Sequence, residues 1–236
     1  MKFVTREIVR LEGGGARDYT EKLPVEREIR IIVEGKLSTT ATITPNQVFE
    51  FLIGHLYAKG VIDCVSQILE IREEGDLRAE YFYTVKVSDH SSGKSSPDKL
   101  NEEIQVDYRS ILAVLRSALD THLYRETGGS HSSALCQENE MLCSAEDVGR
   151  LNTIDKIIGH ALLSDLDIRK CYIVTSGRIT KSTVEKAVLA GTQLVASKGA
   201  VTSLAAQLAN ISGITLVGFT RESRMSIYTW PDRVKW

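Results

Sequence analysis

Between Glu146 and Lys156 an ammonium (Lys156), a carboxylate (Asp155) and an amide (Asn152) crowd together beside Gly149. At helical spacing these four share a face, and a glycine on it lets a second molecule approach the backbone. The cluster reads in two ways. It either holds a ligand or is a solvated face with one intrahelical ion pair.

A second set of polar groups follows three short apolar runs. Ser176-Gly177-Arg178, Ser197-Lys198-Gly199 and Phe219-Thr220-Arg221-Glu222-Ser223-Arg224 each join small or hydroxyl residues to a cation. If the runs are parallel strands, the three segments meet at the carboxyl edge of one sheet, where open α/β sheets bind ligands. Two of them lead into helices, whose first N–H groups favour anions. The expectation is a ligand bearing phosphate or pyrophosphate, with Phe219 as a ring on which a base stacks. Scattered surface cations are the alternative. Thr127-Gly128-Gly129-Ser130-His131 adds an imidazole after two glycines. His131 suits general acid/base work, a hydrogen bond to ligand, or a structural turn.

Several chemistries are excluded by what is missing. The sequence has no GxSxG nucleophile elbow, no P-loop and no GxGxxG. Cys64, Cys136, Cys143 and Cys171 form no CxxC pair and fit no zinc spacing, so no metal site is expected and four free thiols are.

The elements that must position these groups are legible from periodicity. Val148, Leu151, Ile154, Ile158, Ala161 and Leu162 mark one buried helical face. Hairpin strands at 133–136 and 141–144 precede that helix. After it, strands at 171–175, 193–197 and 214–218 alternate with helices at about 182–190 and 203–210, with Ser182 and Glu185 at capping-box spacing. That order predicts parallel strands with right-handed crossovers. Earlier in the chain, Ile29, Ile31 and Val33 alternate, as do Leu37, Thr39, Ala41 and Ile43, which predicts a hairpin. Thr44-Pro45 predicts a helix start, with Val48, Phe51, Leu52 and Leu56 inward and His55 beside them as a structural histidine. Strands follow at 67–72 and 79–87, and a helix from about Arg109 turns Ile111, Leu112, Leu115 and Leu119 inward. Residues 1–22, polar and with Gly13-Gly14-Gly15, are expected to be a mobile loop. The polar stretch Asp89–Asp98 divides a small α+β roll, 1–104, from an α/β domain, 105–236.

The totals set bounds. The chain has 236 residues, 42% hydrophobic and 25% charged, and a net charge of −2. No basic surface announces nucleic acid or an anionic membrane. No apolar run approaches the ~20 residues of a membrane span, and no signal-peptide core opens the chain, so a cytoplasmic protein is expected.

Taken in order, these segments resemble the formate dehydrogenase accessory sulfurtransferase family (FdhD). The matching stretches are Val33-Glu34-Gly35, Thr44-Pro45 with Gly54…Gly60-Val61-Ile62, Thr127–His131, Glu146–Lys156, Ser176-Gly177-Arg178, Glu185-Lys186, and Leu216-Val217-Gly218-Phe219 with Arg221. The resemblance implies a C-terminal three-layer domain like cytidine deaminase in fold, plus the smaller roll, and a homodimer. It implies a carrier that takes sulfur from a cysteine desulfurase, as a persulfide, to molybdenum bis(molybdopterin guanine dinucleotide) before that cofactor enters formate dehydrogenase. GDP is the expected analogue of the cofactor. The family's cofactor segment matches 219–224, and Ser176, Gly177, Arg178, Gly128, Gly129, His131, Asn152, Asp155 and Lys156 are the further binding candidates. Two departures matter. The family's sulfur motif CGxCGK stands here as Asp89-His90-Ser91-Ser92-Gly93-Lys94, with Ser92 at a persulfide position, and a hydroxyl forms no persulfide. The family's GRHNAxDK has Leu151 for its histidine. Cys136 and Cys143 are the substitute thiols weighed; the alternative is a cofactor-binding chaperone that moves no sulfur. The deaminase zinc signature HxE is also broken, since Ser133 takes the glutamate's place.

Overall fold

The computed structural model describes residues 2–75, 81–88 and 104–236. Its first element corrects the sequence reading. β1 (Phe3–Glu12) and β2 (Gly15–Pro24) form a ten-pair antiparallel hairpin rather than a loop. Gly13 and Gly14 supply its turn at φ 60° and 82°, backbone that glycine adopts without strain. Both faces of the ribbon are largely exposed. No alternation of apolar and polar residues betrays it, because there is no buried face to alternate with.

β3 (Arg27–Val33), β4 (Leu37–Ile43), α1 (Val48–Ala58), β5 (Ile68–Gly75) and β6 (Tyr81–Val87) follow. The strands make one sheet in the order β4-β3-β6-β5, with β3 and β6 parallel. Ile29, Ile31, Val33, Tyr83 and Val85 are buried on the face covered by α1. Thr44 does not cap α1. The helix begins after Gln47, and Thr44 spans to the second half of the chain: its N–H donates to Asp147 Oδ2 at 3.0 Å and its hydroxyl accepts from Val148 N at 3.1 Å.

The second half runs β7 (Val106–Asp107), α2 (Tyr108–Leu119), α3 (His122–Thr127), β8 (His131–Gln137), β9 (Glu140–Asp147), α4 (Arg150–Leu163), β10 (Tyr172–Thr175), α5 (Lys181–Ala190), β11 (Leu194–Ser197), α6 (Ser203–Ser212), β12 (Thr215–Arg221), β13 (Arg224–Thr229) and β14 (Val234–Lys235). Six of these strands form one sheet, ordered β13-β12-β11-β10-β8-β9. β10, β11 and β12 are parallel, as the strand–helix alternation predicts, while β8 runs against β10. α5 begins after Thr180, two residues before the capping box that Ser182 suggests, because Thr183 Oγ1 takes the Thr180 N–H.

One core joins both sheets. It runs from Ile29 and Phe51 through Ile154 and Ile158 to Val184, Val195 and Leu216. α2 covers the other face of the six-stranded sheet, over Tyr172, Val174, Ala196 and Val217. The mixed α/β class is the one expected. The polar stretch 89–98, including Ser92, lies outside the described residues. Among the described residues no helix is long and apolar enough to cross a membrane.

Candidate functional site

The carboxyl ends of β10, β11 and β12 and the start of β8 lie along one edge of the sheet, and hydroxyls lock them together. Ser176 Oγ accepts from Ser132 N at 3.0 Å and lies 3.1 Å from His131 Nδ1. Ser197 Oγ donates to the Gly177 carbonyl at 2.5 Å and accepts from Gly199 N at 2.8 Å. Phe219 N donates to the Gly199 carbonyl at 2.9 Å. Loops tied this way hold side chains where a ligand finds them, at little further entropic cost on binding.

Along that edge lies a trench of about 660 Å³. One wall is apolar: Leu112, Leu115 and Leu119 of α2, with Tyr124 of α3. Lys198, Thr220 and Arg221 line the trench as well, from the segments that follow β11 and end β12. Thr220 is only 2% exposed, yet its hydroxyl has no hydrogen-bond partner. A buried hydroxyl left unpaired costs stability unless something else satisfies it. Two other charged groups on the rim are occupied: Arg116 donates to the Glu222 carbonyl at 3.1 Å and Arg125 to Asp120 at 3.0 Å. Lys198 and Arg221 make no ion pair with any described residue.

A second hollow, of about 420 Å³, shares Leu119, Tyr124, Gly128 and Lys198 with the trench. Ser130, His131 and Ser176 form its polar wall. Gly128 closes α3 at φ 64°, its N–H on the Tyr124 carbonyl at 2.7 Å, and so turns the chain into this wall. Ser130 is 7% exposed, again with an unpartnered hydroxyl. Burial holds the pKa of His131 below its ordinary value, the charges of Arg150 and Arg178 push the same way, and Asp147 opposes them. The free protein therefore favours a neutral imidazole.

The structure divides the sequence candidates. Thr220, Arg221, Glu222, Gly128, Gly129, His131 and Ser176 line the two hollows. Gly177, Arg178, Phe219, Ser223 and Arg224 do not. Gly177 is packed under the Arg150 stem, where an added Cβ would lie 2.9 Å from Arg150 Cβ. Arg178 is exposed and reaches the site only through its charge on His131. Phe219 is 42% exposed at a left-handed φ of 49°.

Asn152, Asp155 and Lys156 belong elsewhere. Asn152 Nδ2 donates to the Thr42 carbonyl and to Asp147 Oδ1, each at 2.8 Å. Asp155 holds His55 Nδ1 at 3.0 Å and the Lys186 ammonium. Lys156 Nζ meets Asp147 Oδ2 at 2.6 Å and donates to Asn46 Oδ1 and the Thr44 and Glu146 carbonyls. Burial lowers the Lys156 pKa and the Asp147 carboxylate opposes that shift. These groups knit α4 to β4 and α1. The same residue types at the same spacing serve either purpose, so pattern alone does not separate them.

The apolar wall was missed because α2 reads as a plain core helix. Its signal is width. Apolar residues at 111, 112, 114, 115, 118 and 119 cover more of the surface than one packed stripe needs.

The thiols are equally divided. Cys64 is exposed, whereas Cys136 and Cys171 are buried and Cys143 is half-buried. Burial pushes Cys143 and Cys171 up to about 11, and Cys136 higher still. Cys136 and Cys143 pack into the cores on opposite faces of the sheet, so they form no working pair. Among the described residues no three His, Cys, Asp or Glu side chains gather to hold a metal.

Comparison with known proteins comes down on one family. The pattern of the FdhD/NarQ family matches residues 83–235. The chain is 29% identical to the sulfur carrier protein FdhD of Bacillus subtilis (strain 168), over 98% of this chain and 97% of that one. It is 32% identical to the protein of the same name from Methanothermobacter thermautotrophicus, over 92% and 93%. A crystal structure titled as a formate dehydrogenase accessory protein from Desulfotalea psychrophila superposes with a TM-score of 0.84 over 100% of both chains, at 24% identity, and shows the same fold.

Proposed function

The chain belongs to the FdhD/NarQ family, and on that premise we propose that it serves formate dehydrogenase maturation as a sulfur carrier that grips molybdenum bis(molybdopterin guanine dinucleotide) by a guanine dinucleotide. The cofactor is cargo here. The observation that carries this reading is the trench: an apolar wall, the unpartnered Thr220 hydroxyl, and the unpaired cations Lys198 and Arg221. A guanosine diphosphate moiety offers a flat base for the wall and an anion for the cations, whose hydrogen bonds to phosphate are of the strong, charge-assisted kind. GDP is the probe. Saturable binding that phosphate ions compete away supports the reading; no heat and no protection with millimolar GDP contradicts it.

Sulfur carriage asks for a thiolate that reaches a donor's persulfide. In that exchange the carrier thiolate attacks the outer sulfur, a new S–S bond forms, the donor's breaks, and the donor leaves as a thiolate. Cys64 is the exposed thiol. It is linked through Gln67 to Ser88, the residue that precedes in sequence the stretch matching the family's cysteine motif: Ser88 N donates to the Gln67 carbonyl, and Gln67 Oε1 accepts from Cys64 N at 3.1 Å. The donor in this reading is a cysteine desulfurase, and the working form is a cytoplasmic homodimer. Cyanolysable sulfur on wild type but not on Cys64→Ala, after incubation with a desulfurase, is the expected result.

The loss of the motif cysteines to residues such as Ser92 favours a second reading, in which the protein holds and delivers the cofactor without moving sulfur. No cyanolysable sulfur on any thiol, with GDP binding intact, would establish it.

A further inference from the structure

We propose that the hollow beside His131 is a distinct oxyanion subsite, which takes the outer phosphate of the pyrophosphate while the trench takes the nucleoside and the phosphate next to it, and that the anion and a proton on His131 bind together. The division of the ligand rests on the cofactor-binding reading above; the subsite itself does not.

The two hollows differ in what they offer. The trench presents leucines and Tyr124 to a base and sugar. The hollow presents Ser130, Ser176, His131 and Lys198. Ser130 is the independent sign of an absent partner: the residue lines the hollow, is more than nine-tenths buried, and its hydroxyl bonds to nothing. Lys198 borders both compartments, where a phosphate bridging them would pass.

Arg150 acts on His131 from α4 and Arg178 from the loop after β10, while Asp147 opposes them from β9; Lys198, in the loop after β11, lines the same hollow. Arg150 also carries a buried Nε with no hydrogen-bond partner. Positive groups thus outnumber the one carboxylate, and burial disfavours the imidazolium further. An oxyanion in the hollow offsets the cations and supplies an acceptor for a ring N–H. The imidazolium then becomes the favoured form. By linkage, anion affinity is greatest when His131 is protonated and falls as pH rises through the midpoint of the bound state.

The test uses inorganic pyrophosphate on the whole protein, with the His131 ring titrated by NMR in its absence and presence. The resonance is assigned by its loss in His131→Gln. The expected result is an upward move of the His131 midpoint on saturation. Affinity should weaken about tenfold in Ser130→Ala, the scale of one hydrogen bond to a charged group, while Arg221→Ala changes pyrophosphate binding less than it changes GDP binding. An unmoved midpoint, or pyrophosphate binding indifferent to both Ser130→Ala and His131→Gln, overturns the subsite even if GDP still binds through Arg221. Pyrophosphate binding with a moved midpoint and no response to GDP keeps the subsite and removes the guanine dinucleotide. The wild-type titration decides the matter even if Ser130→Ala fails to fold.

Discussion

Gly54 of α1 and Gly159 of α4 meet where the two helices cross. A Cβ on Gly54 would lie 1.8 Å from the Asp155 carbonyl oxygen, and one on Gly159 would lie 1.8 Å from that of Glu50. Backbone approaches backbone here, and the joint between the two halves of the chain depends on it.

Gly159→Ala should therefore force the helices apart. Overpacking of this kind costs roughly 1–3 kcal/mol, and more where backbone is the obstacle. Gly15→Ala, whose nearest atom is 3.8 Å away, should stay within about 0.5 kcal/mol of wild type. Urea unfolding of the two variants checks the contrast; equal midpoints would mean the crossing is looser than it looks.

Lys156 and Asp147, both 0% exposed, should behave as structure and not as ligand contacts. Lys156→Met leaves a carboxylate buried without its cation, a loss of about 3–5 kcal/mol. GDP affinity of whatever protein remains folded should be unchanged. A weakened affinity at full stability would return Lys156 to the binding site.

Alkylation near pH 8 should modify Cys64 quickly and the other three thiols only on unfolding. Burial raises all three, to about 11 for Cys143 and Cys171, so the reactive thiolate is scarce as well as shielded. Mass spectrometry after a short pulse reads this directly. Early label on Cys136 or Cys143 would reopen the sheet thiols as sulfur sites.

Acid should loosen the β1–β2 ribbon before the rest. It is moored by Lys2 on Glu146 and Lys22 on Glu126. Burial by itself would raise the Glu146 pKa, but the Lys2 ammonium and the Leu123 N–H outweigh it and hold it below 4.5; Lys22 does the same for Glu126. A carboxylate depressed in the folded state contributes stability above its unfolded pKa and loses it as pH falls through the folded value. Proteolysis in the ribbon should rise below about pH 4, the carboxylate range, while cleavage in α4 does not. Cleavage independent of pH would show that the mooring pairs carry nothing.

The parallel strands were legible because each is buried on both faces and reads as a continuous apolar run, as in Val174 and Val195 between α4, α5 and α2. The ribbon was illegible for the opposite reason, since its residues bury no face at all. Lys198 and Arg221 could be placed at one edge because strand ends are readable. The depth of Thr220 and Ser130 could not, because an unpaired hydroxyl looks in sequence like any surface serine or threonine. Nor could the fate of Asp155 and Lys156, whose partners His55 and Asp147 are chosen by helix packing.

The central claim is that the trench between α2 and the ends of β11 and β12 grips a guanosine diphosphate moiety, and calorimetric titration of GDP into wild type, Arg221→Ala and Arg178→Ala tests it most directly. Arg221→Ala should weaken binding about tenfold or more, as loss of a charged hydrogen bond does. Arg178→Ala should weaken it less, and not at all in high salt, since its charge acts from a distance. Equal affinity in wild type and Arg221→Ala would contradict the account.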